Sequence, residues 1–417
     1  MNRKKPLRIG YVGSGFIAQF LTVAMTQVRD VELTAIYDRG GAEKLAEYAK
    51  KNGLGEPVLY STVKEMCNHC DAIAIYSPNY TRLAVMEEIA DAVKEGAPLK
   101  GVICEKPLGR TLAEAQRMAD LAKEANLLTA YFENQLHMNV INNALHQLRP
   151  QQRAMGPFTL ARSTEEHAGP HNSWFWDPVR QGGGVLSDMG CHSIAVGRYI
   201  LTPEDKDLLF LEPVSVQCDT SLLKWGQPKY QKVLMDTYGV DYSKAPAEDF
   251  ATGIITYKNP ETGQLVKSQF TDSWMYDKQG MRLSMDALGP GYAMEVNTLI
   301  SPVEIFVGDE AASSVADAEK ALEKSTATRG LLAVQANEAD LYGYTTETRD
   351  MVNSFLNGKD AFLNFDYGVQ VTYLVQAAYM AAEKGVTLDL TDQKVQEELK
   401  SYRSLIAQGK GAEVLYS

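Results

Sequence analysis

Asp188 and His192 stand four residues apart in Gly182-Gly-Gly184-Val-Leu-Ser-Asp188-Met-Gly190-Cys191-His192. If the segment after the glycines is helical, the two side chains share one face. A carboxylate one turn from an imidazole can orient the ring and raise its basicity, which suits removal of a proton from a hydroxyl. A capping Asp beside a packed His would have the same spacing. Lys106 is the second chemical candidate, in Glu105-Lys106-Pro107 directly after the apolar run Val102-Ile103-Cys104. A charged pair at the mouth of a buried strand is costly unless it is used, and an ammonium there can steady a developing alkoxide. The plainer alternative is a surface Glu–Lys pair. The Lys106–Pro107 bond is open to either isomer.

Gly13, Gly15 and Ala18 fit G-x-G-x-x-[GA] at the end of an apolar run, Leu7 to Val12, and at the start of a helical pattern. That context is what the motif needs to bind a dinucleotide. Gly13 permits the tight turn, Gly15 lets a pyrophosphate approach the backbone, and Ala18 lets the helix pack close. The helix start, at Phe16 and Ile17, then offers free N–H groups to phosphate. Asp38 ends the second strand pattern, where a carboxylate accepts from the adenosine ribose of NAD. Its charge disfavours the 2′-phosphate of NADP, while Arg39 beside it leaves NADP some room. Ser77-Pro78-Asn79 and Glu105-Lys106 follow two later strands, at the carboxyl ends where ligands bind in such folds.

The elements that must hold these groups divide the chain in two. Over residues 1–135 strand patterns (Leu7 to Val12, Val31 to Tyr37, Asp71 to Tyr76, Gly101 to Cys104, Leu127 to Phe132) alternate with helical ones (Phe16 to Val28, Ala42 to Lys50, Thr81 to Lys94, and one capped by Thr111). Such alternation means a parallel sheet covered on both faces. Residues 136–417 change character. A helix (Val140 to Leu148), an extended segment (Phe158 to Ser163) and a helix over 181–201 precede consecutive strand patterns at 213–223, 249–258, 264–275, 281–287 and 292–297. Strands without helices between them imply a mostly antiparallel sheet. Residues 308–335 read as polar helix, and 345–357 and 366–384 as apolar-periodic helices. The fold class is therefore α/β: a Rossmann domain followed by an α/β domain on an open, mostly antiparallel sheet, whose last helices can pack back on the first domain.

Composition bounds the partners. Lys and Arg number 41 against 53 Asp and Glu, a net charge of −12, which argues against nucleic acid or an anionic membrane. No apolar stretch approaches the roughly 20 residues of a membrane span. The basic start runs into the first strand rather than a cleavable signal. Five cysteines in 417 residues make a disulfide scaffold improbable and a cytoplasmic location the default. Cys67-Asn-His-Cys70 has no second pair for zinc and reads as buried structural thiols.

Taken together, Gly13-x-Gly15-x-x-Ala18, Ser77-Pro78-Asn79, Glu105-Lys106-Pro107, Glu133-Asn134 and the Gly-Gly-Gly…Asp188…His192 segment resemble the glucose–fructose oxidoreductase/inositol dehydrogenase (Gfo/Idh/MocA) family in order and spacing. Tyr373 to Gly385 resembles that family's closing helix. The resemblance implies an NAD(P)-dependent dehydrogenase of a sugar, glycoside or polyol, with Lys106, Asp188 and His192 as catalytic residues. It also implies contact between subunits, as a homodimer or homotetramer, through an open apolar sheet face. Two alternatives follow: an NAD-dependent glycoside hydrolase working by transient oxidation and elimination, and a non-catalytic NAD or sugar sensor. The sequence departs from the family pattern at Arg82 and Ala195, where many relatives have His and Asp.

The segment Glu165-Glu-His167-Ala-Gly-Pro-His171-Asn-Ser-Trp174-Phe-Trp176-Asp-Pro178 is dense in groups that bind sugars. Trp faces stack on apolar sugar faces, and His and carboxylates bind hydroxyls. His167, His171 and Trp176 are the expected substrate contacts beside Lys106, Asp188 and His192. Gly169-Pro170 breaks the helix that would align His167 with His171, so no metal is expected there.

Overall fold

The computed structural model describes residues 5–278, 280–299, 304–307, 330–333 and 337–416. Strand β1 (Leu7–Val12) buries every side chain but that of Arg8. It lies between β2 (Val31–Tyr37) and β4 (Ala72–Ile75), with β3 (Val58–Leu59), β5 (Gly101–Glu105) and β6 (Leu128–Phe132) completing a parallel sheet in the order β3-β2-β1-β4-β5-β6. Each residue of Ala72–Ile75 is buried, as a central parallel strand covered on both faces must be. The two-residue β3 has too short an apolar run to announce itself in sequence.

The second sheet has seven strands in the order β12-β11-β7-β10-β9-β8-β15. They are β7 (Leu160–Glu166), β8 (Glu212–Ser221), β9 (Phe250–Lys258), β10 (Leu265–Ser273), β11 (Arg282–Gly289), β12 (Tyr292–Asn297) and β15 (Leu388–Asp389). Every pairing is antiparallel except β7 with β10. Helix Cys191–Leu201 packs on β7 and β10, and helix Phe365–Lys384 on β8. The same long helix also packs on helix Leu112–Glu124 of the first domain.

Burial alternates along β7, β10 and β11, so one face is core. The other face carries Arg162, Thr164, Gln269, Thr271, Ser284 and Asp286, exposed or half-buried. The same face also exposes Ile254, Leu265 and Leu288, so among the described residues it is mixed and mostly polar, which corrects the expectation of an apolar one. Two further differences concern helices. Helix Pro228–Tyr238 interrupts the run of strands between β8 and β9, and its signals were Pro at the first turn and left-handed Gly239 at the end. Of the expected polar helix over 308–335, residues 308–329 and 334–335 lie outside the described residues, and Gly330–Ala333 is instead strand β14, paired with β13 (Glu304–Val307). Among the described residues no helix is long and apolar enough to cross a membrane. All five cysteines are free and buried, and burial pushes the Cys67 and Cys70 thiols up to about 12 and about 11.

The turn 182–184 is held by two buried side chains of the second domain. Glu248 Oε1 accepts from the N–H groups of Gly184 (3.1 Å) and Leu186 (3.0 Å), and the Tyr379 hydroxyl donates to the same oxygen. Gly183 has φ of 147°, and a Cβ there would lie 2.1 Å from Tyr379 Oη. Gly183→Ala therefore meets both backbone strain and a clash, and should lower stability by about 1–3 kcal/mol. Thermal unfolding measures this; an unchanged melting temperature would show that the turn can relax.

Candidate active site

A cavity of about 440 Å³ runs between the carboxyl ends of the parallel sheet and the second domain. Gly13, Gly15, Phe16, Ile17, Asp38 and Arg39 border one part of it. Lys106, Glu165, His167, Asp188 and His192 border the other, with Ser77, Pro78, Asn79 and Glu105 between.

The first part fits a dinucleotide. Gly13 has φ of 104°, and a Cβ on it would press at 3.0 Å on the backbone of Tyr76 and Ser77. Gly15 has open space for 4 Å around its missing Cβ and starts helix Phe16–Met25 without a side-chain cap, so phosphate can approach the helix N–H groups. Ala18 is fully buried against the sheet. Both carboxylate oxygens of Asp38 are fixed by backbone donors, Ser14 N at 2.7 Å and Gly40 N at 2.6 Å. Asn79 donates to the carbonyl of Gln181 at 2.8 Å, tying this strand end to the second domain.

The second part is assembled from four elements. β5 ends in Glu105 and delivers Lys106, whose peptide to Pro107 is cis. Arg82 is buried and donates to the carbonyls of Ser77, Glu105 and Pro107, so it clamps the ends of β4 and β5. Burial pushes the Glu105 carboxyl up to about 7, against the opposing pull of Lys106 and Arg82. Lys106 Nζ lies 2.7 Å from the carbonyl oxygen of Asp188 and 3.3 Å from its Oδ1. Burial works against the ammonium, yet Asp188 first and then Glu165 and Glu105 hold its pKa above the ordinary value. β7 contributes Glu165, whose Oε2 accepts from Gln135 Nε2 at 2.7 Å, and burial pushes this carboxyl up.

Asp188 and His192 are both on the cavity, but not as a hydrogen-bonded pair. Leu186–Gly190 is a π-helical turn running into helix Cys191–Leu201. A π turn holds more residues than an α turn, so four-residue spacing no longer stacks side chains as in an α-helix. Asp188 pairs with Lys106, and the Nδ1 of His192 pairs with Glu133 Oε1. The hydrogen bond to the ring expected of Asp188 is thus made by a residue 59 positions earlier in sequence. Burial lowers the His192 pKa and Lys106 lowers it further, but Glu133 and Glu165 outweigh them and leave it raised.

The aromatic segment also divides differently. Trp176 is 1% exposed and packs among Trp225, Trp274 and Tyr242, with ring centroids 4.7, 5.1 and 5.6 Å away. It is core and does not line the cavity. Its neighbours Trp174 and Phe175 line the cavity instead, stacked at 3.8 Å. His167 and His171 both line the cavity, and His167 Nδ1 accepts from Gly169 N at 2.9 Å, leaving its proton on Nε2. His171 rests edge-on against Phe16 at 5.0 Å, so the second domain's loop touches the start of the glycine-motif helix. Sequence reasoning did not single out Gln135, Met281 or Tyr344, which also line the cavity. Residue type marks none of them.

Residues 7–133 match an oxidoreductase family with an NAD-binding Rossmann fold, and residues 150–286 match the GFO/IDH/MocA C-terminal domain. The chain belongs to the Gfo/Idh/MocA family. Within it, a 1,5-anhydro-D-fructose reductase of Ensifer adhaerens is 27% identical over 198 residues, 47% of this chain and 57% of that one. A D-glucoside 3-dehydrogenase of Escherichia coli K12 is 29% identical over 209 residues, 47% of this chain and 54% of that one. The chain thus spans about half the length of these curated relatives. Among solved structures, GenD2 from gentamicin A biosynthesis, in complex with NAD, matches with a TM-score of 0.72 over 93% of this chain and 97% of that one, at 20% identity. A scyllo-inositol dehydrogenase from Lactobacillus casei with bound NAD(H) and scyllo-inositol matches with a TM-score of 0.64 over 93% and 100%, also at 20% identity. Identity at that level establishes the Gfo/Idh/MocA fold and no more.

The division of the aromatic segment is testable. Trp176→Ala empties a core site and should cost about 3–5 kcal/mol. Trp174→Ala should leave the melting temperature nearly unchanged and weaken ligand binding. A surface-like response of Trp176 in thermal unfolding would contradict its placement.

Proposed function

We propose that this protein is an NAD-dependent oxidoreductase that exchanges a hydride between NAD and a hydroxyl carbon of a sugar, glycoside or polyol. The observation that carries the reading is the convergence of Lys106, Asp188 and His192 on the same cavity as the glycine turn and Asp38. NAD, when bound, supplies the hydride acceptor at its nicotinamide. The chain's own residues handle the proton and the charge. His192 accepts the hydroxyl proton. Lys106 donates to the substrate oxygen as negative charge develops there, and Asp188 holds the ammonium in place. Glu165, His167 and Asn172 are cavity-lining groups that accept from or donate to the remaining hydroxyls, with Trp174 and Phe175 as apolar surface.

A panel of sugars, cyclitols and glycosides, followed by nicotinamide absorbance and product analysis together, tests the activity. His192→Ala should reduce turnover by about 10²–10⁴-fold, and Lys106→Ala by about 10²–10³-fold, with NAD affinity and melting temperature little changed. Near-normal turnover by His192→Ala would move the base elsewhere, with His171 the next candidate. The base must be neutral to accept a proton. Alcohol oxidation should therefore fall as pH drops through the His192 pKa, and this loss should begin above the ordinary histidine value because that pKa is raised.

NAD should bind more tightly than NADP, because the fixed Asp38 carboxylate would face a 2′-phosphate. Asp38→Ala should narrow the gap. Equal or tighter binding of NADP in a titration of the unaltered protein would assign the adenosine contact to Arg39.

A further inference from the structure

We propose that Glu133 is the positioning residue for His192: it holds the ring by Nδ1 from the first domain and turns Nε2 toward the cavity as the proton acceptor. The inference rests on the reading of His192 as the base. Three observations support it. His192 Nδ1 is hydrogen-bonded to Glu133 Oε1, and both side chains are buried, Glu133 completely. His192 lines the cavity and Glu133 does not, so the carboxylate stands behind the ring as seen from the substrate. Asp188, the nearer residue in sequence, has its side chain on Lys106 Nζ.

The groups around the ring define what each can do. Asp188 and Cys191 lie on its own helical segment, Lys106 and Glu105 come from the end of β5, Glu165 from β7, and Glu133 from the end of β6. Asp272 of β10 is engaged with Ser193 Oγ at 2.7 Å. Glu347, on helix Tyr344–Leu356, lies buried near Glu133 and Glu105. Of all these, Glu133 alone is hydrogen-bonded to the ring among the described residues. With Glu133 ionised, the neutral ring carries its proton on Nδ1 and a lone pair on Nε2. When the substrate O–H bond breaks, its proton passes to Nε2 and the electron pair stays on the substrate oxygen beside Lys106. The imidazolium so formed is balanced by the Glu133 carboxylate. The same contact opposes the loss of basicity that burial and Lys106 would impose on the ring.

The test does not need the substrate. Protein labelled with ¹⁵N-histidine, with and without NAD, is titrated by NMR, and the His192 signals are assigned by their loss in His192→Asn. The unaltered protein should show a His192 pKa above the ordinary value and a neutral form protonated at Nδ1. Glu133→Gln should lower that pKa by about 1–3 pH units, whereas Asp188→Asn should move it less. A neutral ring protonated at Nε2 would overturn the proposal, and this measurement needs no variant that could misfold. So would an Asp188→Asn shift as large as that of Glu133→Gln. The two readings separate cleanly: if the titration behaves as expected but His192→Ala still turns over substrate, the base assignment fails and the Glu133 contact stands.

Discussion

The candidate site depends on two buried polar contacts that cross between the domains. Lys106 and Glu133 are delivered by the ends of β5 and β6, while Asp188 and His192 come from one helical segment of the second domain. Neither domain alone holds both partners of either contact. The partners must meet with their charges largely withdrawn from water, and removing one partner of such a pair leaves the other buried and uncompensated. This constraint explains the amount of structure devoted to the junction. Asn79 reaches Gln181, Gln376 donates to the carbonyl of Arg110 at 3.2 Å, and helix Phe365–Lys384 packs on both domains.

Charge around the site follows from the same constraint. Glu105, Glu133, Glu165 and Asp188 are all buried near the ammonium of Lys106 and the ring of His192. Such crowding raises the cost of ionising every carboxyl at once, and burial pushes Glu105 and Glu165 up accordingly. Carboxyls that share a buried region with a cation can hold it charged while one of their number tunes a neighbouring ring. The division of labour is set by contact: Asp188 for the ammonium and Glu133 for the imidazole.

The glycine-rich turn before Asp188 makes that geometry possible. Glu248 and Tyr379 gather the N–H groups at its exit, and the π-helical turn after it sends Asp188 and His192 to different partners. π turns are rare and recur at functional sites because they re-aim side chains at a local energetic cost. Here the re-aiming supplies two cross-domain contacts from one short segment.

Much of this was legible in the residues themselves. A β-strand run ending in Gly13-x-Gly15-x-x-Ala18, alternating strand and helix patterns, and Lys106 at a strand mouth depend on local periodicity and backbone demands, which sequence records directly. The order of the two domains and the cavity-lining places of Asp38, His167, His171, Asp188 and His192 followed from the same reasoning. What the sequence could not decide were choices among equivalent side chains. Trp174 and Trp176 are two residues apart in an irregular loop, and only packing against Trp225, Trp274 and Tyr242 makes one of them core. The polarity of the uncovered sheet face depended on strand register, which a one-residue shift reverses. The partner of His192 lay in the other domain. Spacing within a helix pointed to Asp188, but a hydrogen bond is decided by where atoms meet in space, and a π turn together with a neighbouring strand end gave that place to Glu133.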